Sequence, residues 1–434
     1  MSPALHRPTS PPRSPARLAP RACTALALML AVPACTRDLG LLGRIDAGTG
    51  ADRPQVDLNG PPDSSDATGA GGAGGTYGLC DGARVRFPDA SGTCAGTLAS
   101  RSHRYALCSC GDWSPGAPLS TNPFSSNPAA IPAGPVSAAV GVNGKLVASD
   151  ELSIRGSLYA SGYGGISTTA ALDVYKTLHS AGPVSVTPPG GLASVYGTDA
   201  YVAGDVTGAL HVSGTLHAPS TAMLSGAATY MTIARETVSV PDPCDCAMPF
   251  DVTSVITATA TANDNTSISL DPDYLVNPSG TITLDLPCGR FFLSSIIAQS
   301  IVNLRVHGHT LMAIAGGVTL KGGLTVQFDP GAELDLLIGG ALTSYGPYPV
   351  GDYEPAPLRV WMAGSAPISL YGDPVVGGIF RAPLSTVTAP NGMLFYGSMI
   401  AASFDFGDAV QWYYDQVVLS SGVACGDPPQ DPIP

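Results

Sequence analysis

The chain has 434 residues, a formal net charge of −13 and only 12% charged side chains. Its 52 Gly and 40 Pro favour turns over long helices. An acidic, charge-poor surface repels phosphate backbones, which argues against a nucleic-acid partner.

The first stretch reads as an address. Arg7, Arg13, Arg17 and Arg21 precede an apolar run over 22–34. That run falls short of the roughly 20 residues needed to span a bilayer and has the length of a signal-peptide core. It ends Val32-Pro33-Ala34-Cys35, which resembles a bacterial lipoprotein cleavage box, although Pro33 is not the usual residue there. The expectation is a lipoprotein signal peptide over 1–34 and lipidation of Cys35; an ordinary secretory peptide is the alternative. Thr36 follows the cysteine where an Asp would signal inner-membrane retention. By resemblance to other Gram-negative lipoproteins, this points to the outer membrane.

Residues 35–76 have few large apolar side chains and end in Gly/Ala low complexity, so they are expected to form a disordered tether. Residues 77–113 carry Cys80, Cys94, Cys108 and Cys110 among turn residues. In an exported chain this reads as a small disulfide-bearing module. A metal site using Cys108, Cys110 and His103 is the rival, but structural zinc sites use wider cysteine gaps, in pairs. No metal site is therefore expected. A Pro/Ser/Asn linker follows over 114–135.

From 136 the chain changes character. Short runs at 152–154, 157–159, 184–186, 201–202 and 209–212 alternate apolar with polar or small residues, and Gly stands close after most of them. Asn143-Gly144 is a hairpin-turn signal. The pieces at 153–162 and 210–220 look alike, as strand, Gly, strand, small residues. Such units suit a solenoid, although no strict period can be claimed. Residues 173–179 read as a short helix or a strand bridge. His211 and His217 have even spacing and would face one side of a strand.

Residues 241–280 form a Cys-bearing insertion. Cys244 and Cys246 flank one residue, and Cys288 and Cys425 come later. A ring closed across a single residue has poor geometry, so Cys244 and Cys246 are expected to pair elsewhere. Eight cysteines after Cys35 leave the connectivity open. Residues 251–263 form the best helix candidate, with Asp251 as N-cap and Val252, Val255, Ile256 and Thr259 on one face. Their β-branched residues keep a strand reading alive.

Strand-and-turn rhythm is strongest over 281–345 and returns over 359–415. Gly316-Gly317, Gly322-Gly323, Gly339-Gly340 and Ala382-Pro383 are expected corners. Trp412 to Asp415 are expected to cover the last coil, since an open edge invites another chain. The fold expected is all-β: a right-handed parallel β-helix, or solenoid, over 136–420 with a short helical insertion. The tether and the Cys-bearing module precede it, and a tail over 421–434 follows.

Several marks then line up with a known family: Pro243-Cys244-Asp245-Cys246, Asn263-Asp264-Asn265, 284–292 around Cys288, 331–336, Arg359 to Gly364, Phe380 to Pro383 and Tyr413-Tyr414-Asp415. This order resembles an uncharacterised domain of myxobacterial surface lipoproteins. Relatives of that domain occur in type IV pilus-linked and cell-wall-anchored proteins. The closing portion also resembles a bactofilin-like β-solenoid. Neither resemblance brings catalytic residues with it, and fold does not give function.

Solenoids can host polysaccharide lyases and hydrolases, so the acids at Asp329, Glu333, Asp335, Asp352, Glu354, Asp373, Asp405 and Asp408 are the candidates for paired-carboxylate or calcium-assisted chemistry. They pair with Arg290, Arg305, Arg359, Arg381 or Lys321 in no recognisable motif. His307 and His309 lack a third ligand. No nucleophile elbow, phosphate loop or dinucleotide fingerprint is present, so no catalytic residue and no cofactor is expected. Tyr345, Tyr348, Tyr353 and Tyr371 could stack on sugars or partners. The reading is a non-catalytic exported lipoprotein with a structural or adhesive role, at the cell surface or in the periplasm. Its partners would be the membrane through the lipid, and surface polysaccharide or envelope protein. A carbohydrate-active enzyme and a self-assembling envelope scaffold are the alternatives.

Overall fold

The computed structural model describes residues 103–126, 137–187, 192–248 and 250–420, with the backbone of Gly96–Thr97 and Ala424–Cys425. All belong to one compact unit within Gly71–Pro434. The expected signal peptide, Cys35, the tether, Cys80, Cys94 and the side chain of Cys425 lie outside the described residues.

The architecture is a parallel β-solenoid of about 13 turns, all-β apart from a single short helix among the described residues. Each coil carries three short strands separated by corners. Ile282–Leu286, Gly289–Leu293 and Ile296–Ala298 form one coil. Val302–Val306, His309–Ile314 and Val318–Leu320 stack on it in parallel register. In the earlier part of the chain, Leu152–Ile154, Leu158–Ala160 and Ile166–Thr168 do the same. A three-residue strand with period-two alternation sends two side chains inward and one outward. Leu158, Ala160, Leu178, Val184, Ala200 and Val202 are fully buried in this way. Each large apolar side chain so placed contributes about 1.5–3 kcal/mol.

The period is loose because corner lengths vary from coil to coil. Ala200 and its partner Leu216 are 16 residues apart, whereas Leu324 and Val350 are 26 apart. Tight corners explain the glycines. A Cβ on Gly322 would lie 2.2 Å from the Ser300 carbonyl carbon, and Gly323 takes φ +90°. Asn143-Gly144 forms such a corner and not a hairpin: Val140–Val142 and Leu146–Ala148 lie in different sheets of one coil. A Cβ on Gly144 would meet Asp112 at 2.4 Å. Residues 173–179 span two strands, Ala171–Val174 and Leu178–Ser180, joined by a bend.

Chain order and stacking order differ. Val410–Asp415 stacks on Met393–Phe406 on one side and on Leu119–Phe124 on the other. Leu107–Ser109 sits between the same two neighbours of the stack, pairing with Met399–Ala401 and with Val140–Val142. One coil is therefore built from two chain segments just over 300 residues apart, Leu107–Ser109 and Val410–Asp415. Within the expected module (77–113) and linker (114–135), residues 107–109 and 119–124 are thus solenoid strands. Trp412 to Asp415 do not cover an end, because the coil of Leu119–Phe124 lies over them. Trp412 and Tyr414 are buried in mid-stack, and the Tyr414 hydroxyl donates to the His103 carbonyl at 2.7 Å.

The two ends differ. At the end formed by the 282–298 coil, edge strands are closed by the preceding residues. The Asn265 side chain accepts from Phe292 N at 2.9 Å and donates to its carbonyl at 2.8 Å, as a neighbouring strand would. Leu275 and Asn277 do the same for Ile297, with Leu270 and Leu275 buried over the core. The opposite end is the strand Thr229–Arg235, whose first four residues are exposed.

Candidate functional site: the long face and its strap

Register places one outward residue from each coil in a single column along the second face. In the later part of the chain the column runs Phe292, Ala313, Leu337, Trp361, Arg381, Ile400. It passes through Cys108 and Gly141. It continues as Tyr159, His179, Tyr201, His217 and Ala234.

After Ala234 the chain turns back at Glu236, whose N–H donates to Ala218 and whose carboxylate bonds His217 at 2.6 Å. Residues 236–264 then form a strap leading back to the other end of the stack. Asp242 accepts from Ser161 Oγ at 2.6 Å. The Asn143 amide holds Cys244 through its N–H and carbonyl at 2.8 and 2.9 Å. Disulfides Cys108–Cys244 and Cys110–Cys246 fasten the strap to the shared coil. Cys244 and Cys246 each pair elsewhere, as their spacing requires. Cys288 is also disulfide-bonded.

Beyond the cysteines, the buried Arg381 guanidinium donates to the Asp245 and Ala247 carbonyls, with the Asp245 carboxylate 3.5 Å away. Next comes the helix Val252–Thr261. Asp251 caps it, accepting from Thr253 N at 3.0 Å and Ser254 N at 3.3 Å. The Ser254 hydroxyl holds the Asp251 carboxyl below its ordinary pKa. Its threonines are tolerated because Thr257 and Thr259 return their hydroxyls to carbonyls one turn back. Phe250, Val252 and Ile256 pack on Leu311, Ala313, Leu337 and Trp361 of the solenoid wall.

Acids and bases on this face are tied up across coils. Arg359 donates to Asp335 through Nε and Nη2, both at 2.7 Å, and to Glu333 at 2.9 Å. Trp361 Nε1 donates to Asp335 at 2.9 Å. Burial opposes the Arg359 charge, but Asp335 and then Glu333 more than offset it, so its pKa is raised. His309 lies 3.7 Å from Glu333. His103, fully buried, has its pKa driven well below normal by desolvation and then by Arg381 and Arg359. Sequence reading missed these pairs because partners lie one coil apart, 24 and 26 residues along the chain.

The remaining candidates scatter. His307, exposed, bonds Asp329 at 2.8 Å, which raises its pKa, and stands 3.5 Å from Asp285. Asp352 has its carboxyl raised mainly by burial. Asp373, at φ +59°, is a turn residue, and Glu354, Asp405 and Asp408 are exposed. His211 and His217 do not share a side, since the register breaks between Val212 and Thr215. His211 is exposed and bonds Thr229, while His217 joins the column. Among the described residues, no group of three or more His, Cys, Asp or Glu gathers as a metal site.

The part of the column beyond the strap's disulfides is a ring ladder. Tyr159 stacks on His179 at 4.2 Å, His179 on Tyr201 at 4.7 Å, and Tyr201 on His217 at 4.2 Å, all within 11° of parallel. Burial, then the His217 charge, depresses His179 to about 4. Burial raises Tyr159 and Tyr201. Ring faces used on one another leave only edges for a ligand. Elsewhere Tyr345 stacks on Tyr371 at 5.3 Å, and Tyr353 meets Tyr396 edge-on at 5.4 Å.

No curated protein and no solved structure matches the chain. Residues 246–419 match the model of a family described as a domain of unknown function, DUF7305. The chain thus carries a DUF7305 domain, and in this fold that domain comprises most of the covered part of the column together with the strap helix that covers it.

Proposed function

We propose that this chain is a non-catalytic exported lipoprotein, held at the outer membrane by lipid on Cys35, with a structural or adhesive role at the cell surface or in the periplasm. The observation that carries the reading is the sealed column. The protein fills much of one outward face with a strap, bolts that strap down with two disulfides, and neutralises Asp335 and Glu333 with Arg359. A face closed in this way suits a load-carrying wall, and its acid pair is held by Arg359. Two disulfides support an oxidising compartment. The kinship with myxobacterial surface lipoproteins and pilus-linked proteins rests on sequence resemblance over roughly 241–419. For an adhesive role, Tyr345, Tyr348 and Tyr353 are 45%, 42% and 52% exposed and suit a surface polysaccharide or an envelope protein.

Protease shaving of intact cells, run beside a Cys35→Ala variant, tests this. The folded core is expected to be lost on shaving if it is displayed, or protected until the outer membrane is opened if it is periplasmic. Cys35→Ala is expected to move it to the soluble fraction. A cytoplasmic protein with reduced thiols at Cys108 and Cys244 would sink the reading.

A further inference from the structure

We infer that the uncovered end of the solenoid pairs with the same end of a second copy of this chain, giving a closed two-fold dimer. This goes beyond the envelope reading and does not depend on it.

Among the described residues, the strand Thr229–Arg235 pairs on one side only, with Leu210–Ala218. An edge strand of this kind is a template for another strand. The end is apolar as well as unpaired: Met231 is 80% exposed, Met223 68% and Tyr230 37%. The opposite end has its second- and third-face edges closed by Asn265, Leu275 and Asn277.

Charge favours a second copy as the occupant. The chain carries −13 overall, yet residues 206–234 contain no Asp, Glu, Lys or Arg. Arg235 is spent on the Pro219 and Ala222 carbonyls at 2.9 and 3.1 Å. Two copies approaching through this end bring their least charged surfaces together, where the repulsion between acidic molecules is weakest. The molecule also joins solenoid pieces without chain continuity, since Val410–Asp415 and Leu119–Phe124 stack in register from distant parts of the sequence.

Symmetry sets the geometry and the stoichiometry. A two-fold axis makes identical edge strands antiparallel. Centred on Thr232, it places Met231 of one copy opposite Ile233 of the other. Because two of the three edges at the other end are already closed, that end offers no complete partner for head-to-tail stacking, and assembly is expected to stop at two.

Sedimentation equilibrium of the full chain across a concentration series tests this, with Cys35→Ser carried throughout so that no lipid contributes. A reversible monomer–dimer equilibrium with no larger species is expected. Met231→Lys, and separately Met223→Lys, alter exposed side chains; each is expected to weaken the dimer at least ten-fold with an unchanged circular dichroism spectrum. A monomer at every concentration, species larger than a dimer, or a dimer indifferent to Met231→Lys would each overturn the inference.

Discussion

The two halves of the column obey one register and solve one problem differently. From Phe292 to Cys108 the outward side chains are mainly apolar, or charged and buried, and they need a cover; the strap supplies it. From Tyr159 to His217 the outward side chains are rings that satisfy one another by stacking, with their edges partly in water. Parallel in-register stacking therefore fixes which residues meet but leaves the finish of the wall to side-chain choice. A column of unlike residues needs a bolted second layer, whereas a column of stacked rings largely supports itself.

The sharpest break of this comparison is to unbolt the strap. Cys244→Ser with Cys246→Ser opens two loops that each join residues 136 apart. The chain-entropy model gives about 5 kcal/mol for the first bridge and much less for the second, whose loop the first already closes. Thermal melts are expected to fall accordingly. Hydrogen exchange is expected to rise in His309–Ile314 and Glu333–Ile338 under the helix, and to stay near its original level in Leu178–Ser180. Equal loss in both halves would show that the strap supports the whole stack and not one side of it.

Single side chains come next. Trp361→Ala removes a buried ring that packs edge-on against Phe250 at 4.9 Å and donates to Asp335. A loss of about 3–5 kcal/mol is expected in denaturant titration. Tyr201→Ala, at the equivalent place in the ladder, breaks two stacked contacts worth about 0.5–1.5 kcal/mol each and little else. If the ladder substitution costs as much as the tryptophan, the rings carry more of the fold than their partial exposure implies.

The fold was legible in the sequence because the signal was local. Short alternating runs with glycine corners force inward and outward sides, and the helix at 252–261 announced itself through Asp251 and its apolar face. What was hidden depends on which coil lies beside which. Val410–Asp415 looked like a terminus because nothing in the chain says that Leu119–Phe124 will stack on it. The ring ladder and the Arg359 pairs were invisible for the same reason: partners sit one coil away, and unequal corners scramble that distance along the chain. The spacing of Cys244 and Cys246 excluded their joining to each other, but only the strap's path names Cys108 and Cys110 as partners.

The smallest effect asks whether the inner of the ladder's two histidines, His179, is a liability. His179 is held near pKa 4 in the folded chain, mainly by burial, against about 6.5 when unfolded. Between those values the unfolded chain binds a proton that the folded chain refuses. Stability is therefore full above about pH 6.5, declines as pH falls toward 4, and levels off below. Partial exposure discounts the full linkage value to about 1–2 kcal/mol. His103 is depressed too and adds to the slope in the same direction; His307 is raised, so its smaller effect runs oppositely. His179→Phe keeps a ring between Tyr159 and Tyr201 but cannot take the proton. Melting temperatures of the two proteins should lie close at pH 7.5 and separate by pH 5, with the phenylalanine variant the more stable. Parallel curves across that range would mean that His179 exchanges its proton freely in the folded state, and that the ladder is more open to water than the covered half of the column by a wider margin than its geometry indicates.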